Sequence, residues 1–265
     1  MAERWILTRG DDYYPKCLED LHSPPRILYG IGDPTLLSAP MLSVIGARRA
    51  TPYGIAIAEM TARVAVDCGV IVVSGGAMGC DFAAGMSALS AGGKTIVVLG
   101  CGADVIYPRS SEPLILAAQE QGVVLSLDPW KSPPRRFAFP RRNAIIAALG
   151  SVLVVTEAGI RSGTMTTAEA AIDLGRTLYA IPGSIFSPTS AGTNRLISEG
   201  ARIISDESSL AVSLALDFGT VARAQKDQTS PKSRIVSALL ASPSRPEECA
   251  PTGLKYRNIT TDISL

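Results

Sequence analysis

After residue 40 the chain alternates between two textures. Short runs in which nearly every position is apolar recur at 42–47 (LSVIGA), 71–74 (IVVS), 94–100 (KTIVVLG), 123–126 (VVLS), 151–156 (SVLVVT), 177–182 (TLYAIP) and 201–205 (ARIIS). Longer stretches with helical spacing lie between them. The runs do not alternate apolar with polar, so they predict strands covered on both faces. Gly69, Gly92, Gly122, Gly150, Gly175 and Gly200 each close a helical stretch just before the next run. Glycine takes the left-handed conformation at a helix end without a Cβ clash. Strands alternating with helices imply right-handed βαβ crossovers, hence an α/β fold: a doubly wound, mostly parallel sheet with helices on both faces.

The intervening stretches agree. From 52 to 68 the charges Glu59, Arg63 and Asp67 fall four apart, which predicts a largely buried helix with one wet edge. A second helix is expected from about Ser111, with Pro113 in its first turn. Thr166 and Glu169 have capping-box spacing for a helix ending at Gly175. Residues 1–40 read as a small N-terminal extension packed on the sheet domain, which is expected to span 41–216. The polar stretch 217–232 reads as a linker. Residues 233–265 have helix-turn-helix grammar and stop before a β-wing, so a partial winged-helix-like segment is expected there.

Composition narrows the function classes. Hydrophobic content is 46% with only 5% aromatic, so the core is built from small aliphatic side chains. The net charge is +1, which leaves any nucleic-acid binding to a local patch. Five scattered cysteines without a CxxC pair and a single histidine, His22, argue against a zinc site or a disulfide framework. No apolar run reaches spanning length, so a soluble, cytoplasmic protein without a membrane partner is expected. The sequence Gly92-Gly93-Lys94-Thr95 is no P-loop, because Ala88 stands where the first glycine belongs and Lys94-Thr95 feed a strand. The Gly100-Cys101-Gly102 stretch lacks a third glycine, which Val105 replaces, and reads as a strand-end turn. No cofactor is expected.

The strongest chemical signal lies at the strand ends. In an open α/β sheet, ligands bind beyond the carboxyl ends of the strands. Gly46 with Arg48, Ser74-Gly75, Arg141-Arg142-Asn143 and Ser162-Gly163-Thr164 all fall at strand ends or helix starts. Helix N-termini offer free N–H groups and a positive dipole end, so these loops predict one phosphate-binding rim. The Ser162-Gly163-Thr164 loop is expected to supply backbone N–H donors together with a Ser162 or Thr164 hydroxyl. Candidate carboxylates are Asp81, Asp104, Asp128 and Glu157. Asp81 is expected to stabilise a helix start, and Glu157 to meet a ribose hydroxyl or an arginine. None comes with a nucleophile, and Cys80 reads as a buried small hydrophobe.

At these residues the chain resembles the DprA/Smf family, the DNA-processing proteins A of bacterial transformation. The matching elements run from Tyr14-Pro15 through Val44-Ile45-Gly46-Ala47-Arg48 and Ser74-Gly75 with Gly79 and Asp81. The densest match is Phe139-Pro140 with Arg142-Asn143, followed by Glu157-Ala158, Ser162-Gly163-Thr164, Pro182-Gly183 and Gly192-Thr193-Asn194. The resemblance implies a Rossmann-like domain that binds single-stranded DNA and forms a homodimer. It also implies that the protein protects incoming DNA and loads the RecA recombinase in transformation and recombination, without enzymatic activity. Arg48, Arg141 and Arg142 match the region that family members use to hold the DNA backbone. Gly85, Ala144 and Leu127 depart from the family pattern, which usually has a histidine, an arginine and an acidic residue there. The tail resembles the start of the winged-helix domain that many members carry. The alternative is a nucleotide-processing enzyme of the Lonely-Guy phosphoribohydrolase type, whose Gly-Gly-x-Gly-Thr-x-x-Glu loop resembles this one. Thr167 stands where that loop has its glutamate, which favours binding over catalysis.

Overall fold

A computed structural model of the chain describes residues 2–220. The segment expected at 233–265, and the linker from residue 221 onward, lie outside the described residues. Within them nine strands form one sheet: β1 (Arg4–Thr8), β2 (Ile27–Gly32), β3 (Met41–Ile45), β4 (Ile71–Ser74), β5 (Thr95–Leu99), β6 (Val123–Ser126), β7 (Val152–Val155), β8 (Thr177–Ala180) and β9 (Arg202–Ile203). The helices are α1 (Pro52–Asp67), α2 (Cys80–Ser90), α3 (Glu112–Gln121), α4 (Ala138–Leu149), α5 (Gly163–Asp173), α6 (Ala191–Ser198) and α7 (Glu207–Phe218).

Every apolar run named above becomes one of the parallel strands β3 to β9. The sheet order is β1-β2-β6-β5-β4-β3-β7-β8-β9. From β3 the chain steps outward through β4, β5 and β6. Helix α4 then returns it across the sheet to β7, on the other side of β3. Strand order therefore reverses between β3 and β7, whose last residues Ile45 and Val155 are paired. This is a doubly wound, Rossmann-like topology, and its switch point is where ligands bind in such sheets.

Both faces are dry from β3 to β8, which is why those runs are continuously apolar. Leu42, Val44, Val72, Val152 and Val154 pack under α1, α2 and α7, while Val97, Leu99 and Val124 pack under α3. On the other face Ile45, Val73, Val98, Leu153 and Val155 meet α4, α5 and α6. Helices α1 and α2 close on each other through buried Ala58, Ala62 and Ala65 against Ala83, Ala84 and Ala88. Hydroxyls inside the sheet are satisfied: Ser43 donates to Ile146 O at 2.6 Å and Ser126 to Cys101 O at 2.6 Å.

The N-terminal extension enlarges the sheet and does not sit apart on it. Strand β2 pairs antiparallel with β6, and β1 with β2. The Trp5 ring covers Gly30, where any side chain would collide with it, and the indole N–H donates to Gly32 O at 2.8 Å. Arg176 fastens the turn at Lys16–Asp20 by donating to Cys17 O, Ala148 O and the Asp20 carboxylate.

Two expected boundaries move. Helix α5 starts at Gly163 with Ser162 as N-cap, so Thr166 lies inside the first turn and donates to Gly163 O at 2.7 Å. The capping box with Glu169 does not form, because the hydroxyl bonds back to its own turn. Helix α7 runs to Phe218 and ends at Gly219, whose φ is +62°. Residues 217 and 218, expected in the linker, belong to α7. Asp217 is held on the sheet by the Tyr179 hydroxyl at 2.7 Å and by Arg202 at 3.3 Å.

One carboxylate sets the entry of α1. Glu157, only 3% exposed, accepts the Thr51 N–H at 2.8 Å, while Thr51 Oγ1 accepts the Gly54 N–H. The Glu157 carboxylate occupies the space that a Cβ on Gly54 would need. Glycine-to-alanine in a helix normally gains about 1 kcal/mol. Here overpacking opposes that gain by about 1–3 kcal/mol, so Gly54→Ala is expected to lower the urea midpoint of unfolding. A midpoint equal to or above that of the parent would mean that the carboxylate moves aside freely.

Candidate anion and nucleic-acid site

The loops that follow β3 and β7 part at the switch point and leave a pocket of about 400 Å³. Besides Ala77 and Asp81 from the β4–α2 region, its walls come from three sources. The β3 end brings Gly46, Arg48 and Arg49. The second helical turn of α4 brings Arg142 and Asn143. The start of α5 brings Ser162, Gly163 and Thr164. Seven of the ten residues expected to form the rim thus meet in one place.

Each wall is fixed locally. Gly46 is required because any side chain there would run into Thr156 and Cys80. Thr164 Oγ1 donates to Gly46 O at 2.9 Å and ties α5 to the end of β3. Asn143 Nδ2 donates to Gly163 O at 3.3 Å and ties α4 to α5. Ser162 Oγ donates to Gly159 O at 2.9 Å. The expected hydroxyl donors are therefore committed to main-chain carbonyls. What α5 offers a ligand is its free end: among the described residues, the Gly163 and Thr164 N–H groups have no hydrogen-bond acceptor. These are the orphan donors of a helix N-terminus, at the positive end of its dipole.

Arg142 forms the floor. It is only 4% exposed, its Nη1 donates to Val98 O at 3.3 Å, and its Nε is buried without a partner among the described residues. Burial pulls its pKa down, against the opposing pull of Asp81. Asp81, 7% exposed, accepts the Gly75 and Ala77 N–H groups at 3.2 and 3.4 Å. Burial raises its pKa, while Arg142 and those N–H groups favour the charged form. Gly75 lies between the two charges, and a methyl there would strike Arg142 Nη1. Asp81 therefore does more than stabilise a helix start: it is part of the pocket wall beside a buried guanidinium.

Three expected rim residues take other places. The Ser74 hydroxyl donates to Val44 O inside the sheet. Gly75 lines a smaller neighbouring cleft with Tyr107 and Phe139. Arg141 points away from the pocket to Asp128, 3.5 Å distant. Because α4 starts at Ala138, residues 141–143 lie within the helix and contribute side chains, not the free N–H groups of a helix mouth.

Two residues go beyond the expected set. Arg49 lines the pocket beside Arg48, and adjacency to Arg48 was the available signal. Phe139 lies under both cations, with the Arg48 and Arg142 Cζ atoms 5.5 and 5.9 Å from its ring centroid. Its place one turn before Arg142 in α4 follows from helical spacing.

The pocket holds little that could act as a base or nucleophile. Glu157 is engaged by the α1 entry and meets no arginine among the described residues. Cys80 is buried, its pKa pushed up to about 12, and its thiol donates to Gly54 O. Thr167 Oγ1 donates to Gly163 O at 3.2 Å. Among the described residues no three His, Cys, Asp or Glu side chains gather as metal ligands.

Comparison with known proteins agrees with this architecture. The family model for DNA recombination-mediator protein A matches residues 5–215. The DNA processing protein DprA of Streptococcus pneumoniae is 40% identical over 194 residues, covering 73% of this chain and 68% of its own. Protein Smf of Escherichia coli is 35% identical over 76% of this chain but 54% of its own, so this chain spans about half the length of that relative. Among solved structures, DprA from Streptococcus pneumoniae superposes with a TM-score of 0.75 at 37% identity, over 78% of this chain and 73% of the other. DprA from Helicobacter pylori, whose structure concerns its single-stranded DNA binding mode, gives a TM-score of 0.75 at 32% identity over 82% and 97%. With the family match spanning nearly the whole sheet unit, the chain belongs to the family of DNA recombination-mediator protein A.

Proposed function

We propose that this chain binds single-stranded DNA through the switch-point pocket and presents it to a RecA-type recombinase, protecting incoming strands during DNA uptake and recombination. The observation that carries this reading is the pocket itself. Arg48, Arg49 and the buried Arg142 face the free N-terminus of α5 in a protein whose net charge is only +1. A local cationic site of this kind suits phosphate, because guanidinium groups and helix N–H donors both bind phosphate oxygens. The exposed Tyr107 and the half-buried Phe139 beside it offer aromatic surface to unpaired bases, which single strands present and duplexes do not. The resemblance to the Helicobacter pylori protein supports the same ligand. The homodimer rests on the family resemblance alone.

In this role the protein is an adaptor, not an enzyme. Thr167 stands where a phosphoribohydrolase of similar fold needs its glutamate, and Glu157 is committed to Thr51. General acid–base chemistry requires a titrating group within reach of the reacting atoms. Asp81, the carboxylate that lines the pocket, is held by two N–H groups beside Arg142. Incubation with AMP or CMP is therefore expected to release no free base above the buffer background. Turnover would move the assignment to the enzyme class.

Salt dependence tests the phosphate-binding role of the arginines. Arg48→Ala and Arg49→Ala are each expected to weaken oligo-dT binding by about 1.5–3 kcal/mol, the range for hydrogen bonds to a charged group. Each should also flatten the slope of log affinity against log salt by about 0.7 for every phosphate that is no longer neutralised. Arg141→Ala should act less, since Arg141 lies on Asp128 outside the pocket. Equal losses for all three variants would replace the pocket with a diffuse basic surface.

Gly163 separates binding from folding. Its φ is not positive, and an added Cβ meets nothing within 4 Å. A larger side chain therefore enters the pocket mouth without straining the fold. Gly163→Val is expected to reduce oligo-dT affinity at least about tenfold, or 1.4 kcal/mol, while the urea midpoint stays within experimental error of the parent. Unfolding of the variant, or unchanged affinity, would remove the α5 N-terminus from the site.

A further inference from the structure

The pocket is deeper than binding the middle of a strand requires. An internal phosphodiester continues in both directions and lies along an open surface, so it first meets Arg48 and Arg49, both exposed. Arg142 lies deeper: it is 4% exposed at the floor, and its Nε lacks a partner among the described residues. A buried guanidinium with an unmet N–H group is costly unless an anion reaches it. Nε itself is closed to solvent, so a group entering the pocket meets the part of the guanidinium that lines it. The volume of about 400 Å³ falls within the roughly 300–1,000 Å³ range of pockets that enclose small ligands. That is room for a terminal nucleotide.

Charge points the same way. Three guanidinium groups (Arg48, Arg49, Arg142) and one carboxylate (Asp81) line the pocket, leaving +2 when all are ionised, before the helix dipole is added. A phosphodiester carries one negative charge. A phosphate monoester carries about 1.5 to 2 at neutral pH and has three free oxygens to share among Arg142 and the Gly163 and Thr164 N–H groups. Balance and donor count both match the monoester.

We propose that this pocket captures the phosphate monoester at the end of a DNA strand, so that the protein recognises phosphorylated single-strand termini in addition to strand interiors. The inference rests on the single-stranded DNA reading above and names the chemical group that enters the site. A free nucleoside monophosphate shares the group but lacks the neighbouring nucleotides that reach Arg48 and the Tyr107–Phe139 cleft, so it binds more weakly.

The test compares oligo-dT of one length with a 5′-phosphate, with a 3′-phosphate, with hydroxyls at both ends, and closed into a circle, alongside dTMP. At least one phosphorylated end is expected to bind about tenfold tighter than the hydroxyl-ended strand, with the circle resembling the latter and dTMP weaker than both. Arg142→Gln should erase the preference. Because a change at a buried charge can also unfold the protein, Gly163→Asp supplies a second reading. Its position is unobstructed, an aspartate suits a helix N-terminus, and its charge repels a dianion. It too should bring phosphorylated and hydroxyl ends to equal affinity. Equal affinity of all linear and circular strands for the parent protein, with weaker binding still seen in Arg48→Ala, would overturn end capture and leave strand binding intact. Tight binding of dTMP with no binding of any strand would overturn both.

Discussion

The buried guanidinium of Arg142 is the constraint around which the upper side of the sheet is arranged. It reaches from α4 to the end of β5, where it donates to Val98 O, and lies against the β4–α2 loop, where Gly75 leaves room for it. A charge at this depth requires nearby negative potential, and Asp81 supplies it from the first turn of α2. Asp81 in turn accepts the Gly75 and Ala77 N–H groups, so the loop after β4 is folded around the same pair. The pair is not closed on itself, because Nε remains without a partner among the described residues. The site therefore has a charged floor, held by Val98 O and lying beside Asp81. Rigid placement of a charge before the ligand arrives limits the ordering cost of binding.

The second carboxylate at this level, Glu157, has a different task, and the contrast explains why the pocket offers so little for catalysis. It follows β7 directly, at the height where many α/β enzymes place a functional acid. Here its oxygen accepts the Thr51 N–H and packs on Gly54, so it fixes where α1 leaves the end of β3. Helix α1 sets the course of the loop that carries Arg48 and Arg49. The acid thus acts on the ligand only through the backbone that positions the two cations.

The parallel strands β3 to β8 were legible because burial on both faces writes itself as unbroken apolar sequence; β9, at the sheet edge, is exposed at both residues. The strands β1 and β2 were not legible, since both lie in the antiparallel part of the sheet, where exposed or half-buried positions interrupt the buried ones. The expected capping box at Thr166 failed because spacing alone cannot tell a cap from a first-turn threonine that bonds back to the chain. In the site, the loops were legible from strand ends, but depth was not. Arg141 and Arg142 are neighbours in sequence and about 100° apart around α4. Arg142 shares the face of Ile145, Ile146 and Leu149, at helical spacings of three, four and seven, and all three are buried. That spacing was present in the sequence and distinguishes the floor arginine from the one that lies outside on Asp128.

Glycine at this rim serves two ends, and the space around each residue separates them. At Gly46, Gly54 and Gly75 a methyl would run into Thr156, Glu157 and Arg142, so these positions allow the tight approach of elements that make the pocket walls. At Gly163 nothing stands within 4 Å of the missing methyl. Packing gives no reason for glycine there, and neither does backbone conformation, since its φ is not positive. An alanine or serine at the first position of a helix would be at least as stable. What glycine does supply at Gly163 is an unobstructed pair of N–H donors above Arg142. The residue that the fold does not need is thus the one whose identity the proposed phosphate site most directly explains.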